Sequence, residues 1–242
     1  GKFDEREIEH YREVTKALRE RGMEPFVTLW HWTIPLWLKN RGSVLAPRFV
    51  EYFARYTKKV AGALEKQVRF WITINEPQII TSYSYFKDTW PPQKNSIIAG
   101  THAMWQLIKA HRKAYEVLHE KSRVAQVGIA TSNSFLEPVS HRPLDHAAVT
   151  LNRYLRNHAF LNRIRNHQDF VGVNYYSHDR VSFSFKLKSR GGAFIQNKNK
   201  NERVDDMNHE LYPSGIYYVL KDLTRYGTHL YITENGLADA RD

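Results

Sequence analysis

The stretch that decides the fold of this sequence is Trp71-Ile72-Thr73-Ile74-Asn75-Glu76-Pro77. β-branched and aromatic residues fill the run, which predicts a buried strand, and a proline ends the strand directly after an acidic residue. A second run of the same design is Leu230-Tyr231-Ile232-Thr233-Glu234-Asn235-Gly236. Each run therefore predicts a strand whose carboxyl end presents a glutamate.

Outward from these two runs, strands alternate with amphipathic helices along the whole chain. Hydrophobic periodicity predicts strands over residues 26–32, 68–75, 126–134, 169–176 and 229–233. It predicts helices over residues 4–21, 47–64, 97–120, 145–166 and 214–226. This alternation indicates a parallel sheet covered by helices. No glycine-rich turn follows a strand, so a (β/α) barrel fits the pattern better than a dinucleotide-binding fold.

Chemistry in such barrels takes place at the carboxyl ends of the strands. The polar candidates in this sequence fall at those positions: His31, Asn75, Glu76, Asn133, Asn174, Tyr176, Glu234 and Asn235. Two carboxylic acids at strand ends provide the proton donor and the nucleophile or base that acetal hydrolysis needs. Four further histidines show no ligand pattern, so we predict no metal: His141, His146, His158 and His167.

Composition narrows the classes of protein to which the chain can belong. The sequence has 242 residues, with 6 Trp, 14 Tyr and no Cys. The absence of cysteine excludes disulfides, thiolate catalysis and cysteine-bound zinc, and it favours a cytoplasmic setting. The sequence shows neither a signal peptide nor a membrane span, because its longest apolar stretches are only strand-length.

The net charge of +11 is the main compositional anomaly. Much of the excess lies in residues 186–190 and 197–201, inside a polar stretch. We predict a mobile, solvated basic loop near residues 182–210 and regard nucleic-acid binding as the less favoured alternative. Such binding would have to weaken steeply with added salt.

Four motifs resemble those of glycoside hydrolase family 1, the β-glucosidase and β-galactosidase family. They are residues 73–77, residues 232–236, residues 28–32 with Pro35 and the pair at 37–38, and residues 169–176. They occur in the family's order, as its third to seventh strands would require. The resemblance implies a retaining β-glycosidase with Glu76 as general acid/base and Glu234 as nucleophile, acting on a β-linked glycoside without a cofactor.

The resemblance also implies roles for the residues around the two glutamates. Asn75 matches the residue that binds the sugar 2-hydroxyl, and His31 matches a ligand of the 3-hydroxyl with Trp32 beside it. Tyr176 matches the tyrosine that hydrogen-bonds the nucleophile. A core histidine remains the alternative for His31 and simple packing the alternative for Trp32. We expect structural roles for Asn133 and for Trp90, which precedes two prolines, with a place at the border of the substrate site as the alternative for Trp90.

The sequence departs from the family pattern because the first, second and eighth barrel strands have no match. We therefore predict an α/β fold that forms an incomplete (β/α)8 barrel of the TIM type, in a single domain over residues 1–242. Open sheet edges favour a homo-oligomer or a complementing fragment as partner, with closure by the chain's own loops as a third solution. A catalytically weak or inactive carbohydrate-binding or assembly fragment is the alternative to an active hydrolase.

Overall fold

The computed structural model describes residues 2–183, 195–197 and 203–241. The predicted basic loop near 182–210 lies largely outside these ranges. The chain divides into two compact units, of which unit 1 comprises Gly1–Ala130 with Ile164–Val171 and unit 2 comprises Thr131–Arg163 with Gly172–Asp242. The single partial-barrel domain stays a prediction, and each unit is described by itself.

Unit 1 alternates helices and parallel strands from its amino terminus. In chain order it holds α1 (Glu5–Glu20), β1 (Phe26–Trp30), α2 (Leu36–Lys39), α3 (Phe49–Leu64), β2 (Phe70–Asn75), α4 (Pro77–Thr81), α5 (Ile97–Lys121) and the start of β3 (Gln126–Pro138). A 3-10 turn at Ser43–Leu45 and a π-helical turn at Ser82–Phe86 lie between these elements. Both turns, together with α2 and α4, lie in stretches where the sequence analysis predicted neither a helix nor a strand.

Pairing in unit 1 sets the carboxyl ends of its strands side by side. β1 pairs in parallel with β2 (Phe26 opposite Phe70, Trp30 opposite Ile74), and β2 pairs in parallel with β3 (Asn75 opposite Ala130). β1 lies at the end of the strand order. Because parallel strands share a direction, Trp30 and Asn75 finish at the same edge of the sheet.

Helix caps and close packing fix the elements of unit 1. The Asp4 side chain accepts a hydrogen bond from the Arg6 N–H at the start of α1, and the Ser96 hydroxyl accepts one from the Ala99 N–H at the start of α5. In β3, a Cβ on Gly128 would lie 2.4 Å from a backbone carbonyl oxygen of the neighbouring strand. Only glycine therefore permits this approach of the two strands.

Unit 2 is built on the remainders of β3 and of the long strand β4. Its further elements are α6 (Pro143–Arg153), a π-helical turn (Tyr154–His158), α7 (Leu161–Ile164), β4 (Phe170–Phe183), β5 (Ile195–Asn197), α8 (Gly215–Leu223), a 3-10 turn (Thr224–Tyr226) and β6 (His229–Asn235). β4 pairs with β6 and, antiparallel, with β5. Leu136, Ala148 and Val181 form a buried cluster on the helix side of β3 and β4.

The five predicted strands are present, but their bounds and number differ from the prediction. β3 and β4 continue to Pro138 and Phe183, and among the described residues β5 adds a sixth, antiparallel strand. The helix predicted over residues 145–166 is interrupted by a π-helical turn and ends in a separate short helix. None of the helices in the described ranges combines the length and apolarity that a membrane crossing requires.

A buried histidine ties β2 to α5 inside unit 1. Nδ1 of His111 lies 2.7 Å from the Thr73 hydroxyl, and Nε2 lies 2.6 Å from the His167 carbonyl oxygen. A carbonyl only accepts, so Nε2 carries the proton and the Thr73 hydroxyl donates to Nδ1. Burial lowers the pKa of His111 to about 4, from an ordinary value of 6.5.

This buried histidine predicts a loss of stability in mild acid. The unfolded chain binds the proton at higher pH than the folded chain, so stability is full above pH 6.5 and falls as the pH drops toward 4. The loss from this group reaches about 3 kcal/mol. We expect His111→Gln to flatten the dependence of the urea midpoint on pH between 7 and 5, and His10→Gln, at an exposed site, to leave it unchanged. Equal slopes in wild type and His111→Gln would contradict the assignment.

Candidate active site

Glu76 occupies a strained backbone position at the end of β2. Its φ of +45° and ψ of +61° lie in the left-handed region, which costs a side-chain-bearing residue about 1–2 kcal/mol. The Glu76 N–H donates to the Ala130 carbonyl at 2.8 Å, and the Glu76 carbonyl accepts the N–H of Ile79. Pro77 provides the first residue of α4. The turn stops the strand and starts the helix at the glutamate, whose side chain is 6% exposed.

Asn75 connects the end of β2 to the end of β1. Its side-chain Nδ2 donates to His31 Nε2 at 3.2 Å, so His31 carries its own proton on Nδ1. The indole Nε1–H of Trp32 donates to the Asn75 backbone carbonyl at 2.9 Å. Trp32 also has a left-handed backbone, with φ of +72°. Unit 1 therefore brings together four of the six predicted site residues.

Two further aromatic residues extend this group, and the sequence analysis did not assign them to the site. The rings of Trp32 and Trp90 lie 4.8 Å apart, and Trp90 stacks on Tyr83 at 4.9 Å. Tyr83 comes from the π-helical turn after α4. The Trp-Pro-Pro sequence was the only signal for Trp90, and nothing in the sequence indicated Tyr83.

A cavity of about 540 Å³ opens beside β1, where this edge strand meets α3. His31 contributes to its wall, and the wall is otherwise largely aromatic and aliphatic: Leu29, Trp30, Trp37, Phe49, Tyr52, Phe53 and Tyr56. Its charged residues are Lys2 and Arg55, both cationic. The Tyr56 hydroxyl donates to the Leu29 carbonyl of β1 at 3.0 Å.

Glu234 is fixed in unit 2 by a hydrogen bond from β4. The Tyr176 hydroxyl donates to Glu234 Oε2 at 2.6 Å. The residues on either side of the glutamate also bind β4. The Thr233 hydroxyl donates to Asn174 Oδ1 at 2.6 Å, and the Asn235 amide donates to the Tyr175 carbonyl at 2.6 Å. Three consecutive side chains of β6 are thus held by one strand.

Asn133 is buried in unit 2, as expected for a structural residue. Its side-chain oxygen accepts a hydrogen bond from the Thr131 hydroxyl at 2.6 Å. Its side-chain nitrogen is buried and has no hydrogen-bond partner among the described residues. Within the same ranges, His, Asp and Glu side chains form no cluster of three that could hold a metal ion.

Comparison with known proteins defines the class to which the chain belongs. The family model for glycosyl hydrolase family 1 matches residues 1–164 and 161–242. This chain is a member of that family. The resemblance inferred from the four motifs is therefore confirmed.

Individual relatives agree with the family assignment. A β-galactosidase of Sulfolobus acidocaldarius is 31% identical over 97% of this chain and 55% of its own length. β-Glucosidase A of Thermotoga maritima is 28% identical over 98% of this chain and 59% of its own length. The solved β-glycosidase of Pyrococcus horikoshii superposes with a TM-score of 0.91 and 35% identity, covering 99% of this chain and 59% of that one.

The share of each relative that this chain covers also tests the predicted fold. The chain spans only about 55–60% of the length of these relatives, and its structure matches that part throughout. The relatives are (β/α)8 barrels, so the predicted incomplete barrel is confirmed as the fold class.

The strained backbone at Glu76 predicts that glycine is more stable than alanine at this position, which is the reverse of the usual order in a helix. Glycine adopts the left-handed region without a Cβ penalty, so Glu76→Gly should be about 1 kcal/mol more stable than Glu76→Ala. In the adjacent helix, Gln78→Gly should be about 1 kcal/mol less stable than Gln78→Ala. Urea unfolding of the four variants measures both differences. The same order at both positions would show that Glu76 carries no strain.

Proposed function

We propose that this chain is a retaining β-glycoside hydrolase in which Glu76 is the general acid/base and Glu234 the nucleophile. The observation that supports the proposal is that both glutamates of the motifs that resemble the family's lie at the carboxyl ends of their strands. Glu76 ends β2 at a strained turn, and Glu234 lies in β6 under the Tyr176 hydroxyl. Strained backbone positions concentrate at functional sites.

The reaction proceeds in two steps under this proposal. Glu234 attacks the anomeric carbon while Glu76 transfers its proton to the glycosidic oxygen, so the alcohol leaves and a glycosyl–enzyme ester forms. Glu76, now ionised, takes a proton from water, and the water oxygen attacks the anomeric carbon. The ester bond breaks, the free sugar leaves, and both glutamates return to their starting states.

The remaining site residues orient the nucleophile and the sugar. The Tyr176 hydroxyl donates a hydrogen bond to Oε2 of Glu234, so Oε1 is the oxygen that attacks the anomeric carbon. Asn75 and His31 already share a hydrogen bond, so their remaining donors and acceptors are fixed in direction for the sugar hydroxyls. Trp32 adds an aromatic face next to them, backed by Trp90. Aromatic faces of this kind pack against the apolar side of a sugar ring.

A second candidate function rests on the partial coverage of the relatives. A chain that spans 55–60% of them could bind carbohydrate, or take part in an assembly, with little or no catalysis. In that case His31, Trp32 and Asn75 would bind sugar without turnover. Both candidate functions include a cytoplasmic setting, which the lack of cysteine indicates.

Turnover of an aryl β-glucoside separates the two candidates. We expect the wild-type chain to release the phenol, and Glu234→Gln to lower kcat by at least about 10³-fold because the nucleophile is lost. Glu76→Gln should slow substrates with poor leaving groups far more than activated ones, since an activated phenol leaves without protonation. Tyr218→Phe, at an exposed position of α8, is the control and should leave kcat unchanged. A folded wild type that binds sugar without turnover would favour the second candidate.

The same proposal includes a partner, either a second copy of the chain or a complementing fragment. The edge position of β1 and the apolar cavity beside it support an association at this edge. We expect light scattering to give a mass above the 28.5 kDa of one chain, either alone or after addition of a fragment carrying the absent strands. A monomer under both conditions would contradict the partner.

A further inference from the structure

The chain immediately after β6 is held by an acidic pair from an earlier segment of unit 2. Asp205 Oδ2 accepts a hydrogen bond from the Ala238 N–H at 3.2 Å, and the Asp206 N–H donates to the Ala238 carbonyl at 3.0 Å. Asp206 Oδ2 also accepts the N–H of Ala240 at 2.6 Å. Ala238 lies shortly after Glu234, so these bonds act on the segment that carries the proposed nucleophile.

The Asp205 carboxylate is also held by hydrogen bonds from residues that follow it closely in the chain. Its side chain is 3% exposed. Oδ1 accepts the backbone N–H of Met207 at 3.0 Å and that of His209 at 2.7 Å, while the His209 ring nitrogen Nδ1 lies 3.2 Å from Oδ2. Burial raises the pKa of Asp205, but the hydrogen bonds from His209 and Ala238 outweigh burial and the pKa is lowered overall. The carboxylate is thus ionised and surrounded by donors.

The segment that carries Asp205, residues 203–212 and here called the strap, is anchored to β4 at its other end. Glu210 is fully buried, accepts a hydrogen bond from Arg180 at 2.6 Å and lies 3.3 Å from His178. The Tyr212 carbonyl accepts the Tyr175 hydroxyl at 2.7 Å. The strap is therefore fastened to the strand that also provides Tyr176.

We propose that the strap positions the nucleophile and that Asp205 is its positioning residue. The inference rests on the proposed role of Glu234. β6 is only partly buried, with Ile232 at 53% exposure, so packing alone holds it weakly. Tyr176 holds the Glu234 side chain, and Asp205 holds the backbone that follows, so the carboxylate is fixed from both directions.

A local structural role for Asp205 is the competing explanation. Its Oδ1 bonds to Met207 and His209 close a turn within the strap and would stabilise it without any effect on Glu234. The two carboxylate oxygens have separate partners, which makes the roles separable. In Asp205→Asn, the amide oxygen preserves the turn, while the NH2 group faces the N–H of Ala238 and cannot accept from it.

The test compares Asp205→Asn with Asp239→Asn. Asp239 lies in the segment that follows β6 and pairs with Arg241, and its substitution changes the net charge by the same amount. In Asp205→Asn we expect backbone amide exchange over residues 236–240 to rise about tenfold or more. We expect kcat on an aryl β-glucoside to fall about tenfold, with KM changed less than about twofold, because misplacing a reacting group slows chemistry more than binding. Asp239→Asn should match the wild type in both measurements.

Two results would overturn the proposal: unchanged exchange in Asp205→Asn, or increased exchange with unchanged kcat. An absence of turnover in the wild type would count against the proposed function instead. In that case the ¹³C carboxyl resonance of Glu234 decides the role of Asp205. The resonance must shift in Asp205→Asn and stay in place in Asp239→Asn, and a resonance unmoved in both would overturn the positioning role.

Discussion

The backbone turn at Glu76 is the constraint on which the rest of unit 1 depends. Its N–H is bound to β3 through Ala130, and its carbonyl caps α4, so the residue belongs to a strand and a helix at once. The left-handed conformation ends the strand and begins the helix at this one residue. Asn75, the last residue of β2, therefore stays in the ladder opposite Ala130, with its side chain against His31 and its carbonyl against Trp32.

The two glutamates are held by different physical means. The backbone of Glu76 is bound to β3 and α4, and the residue is buried. Glu234 is held through its side chain by Tyr176, in a strand that is otherwise exposed. The two kinds of support suit the proposed roles. A proton donor and acceptor gains from a sheltered environment, whereas a nucleophile must keep one carboxylate oxygen directed and available.

The sequence predicted the ends of β2 and β6 because both depend on local signals, but it was wrong for β3 and β4, which continue past Asn133 and Tyr176 and so place these residues inside strands. Pro77 marks the end of β2 and a run of β-branched residues marks β6, so Glu76 and Glu234 could be assigned to strand ends. The π-helical turns at Ser82–Phe86 and Tyr154–His158 could not be predicted, since they differ from an α-helix by one residue per turn and leave the hydrophobic period almost unchanged. β5 has only three residues and depends on a distant partner. Contacts such as Trp90 on Trp32 likewise depend on tertiary packing.

Electrostatics distinguishes the two kinds of partner that the proposal allows. The chain carries a net charge of +11, and the charged residues in the wall of the cavity beside β1, Lys2 and Arg55, are cationic. A second copy would bring the same charge to the same edge, and the repulsion would oppose association within a screening length of about 8 Å at physiological salt. A complementing fragment with acidic residues would meet the cavity with opposite charge and would associate faster at low salt. The charge of the chain therefore favours a complementing acidic fragment over self-association at β1.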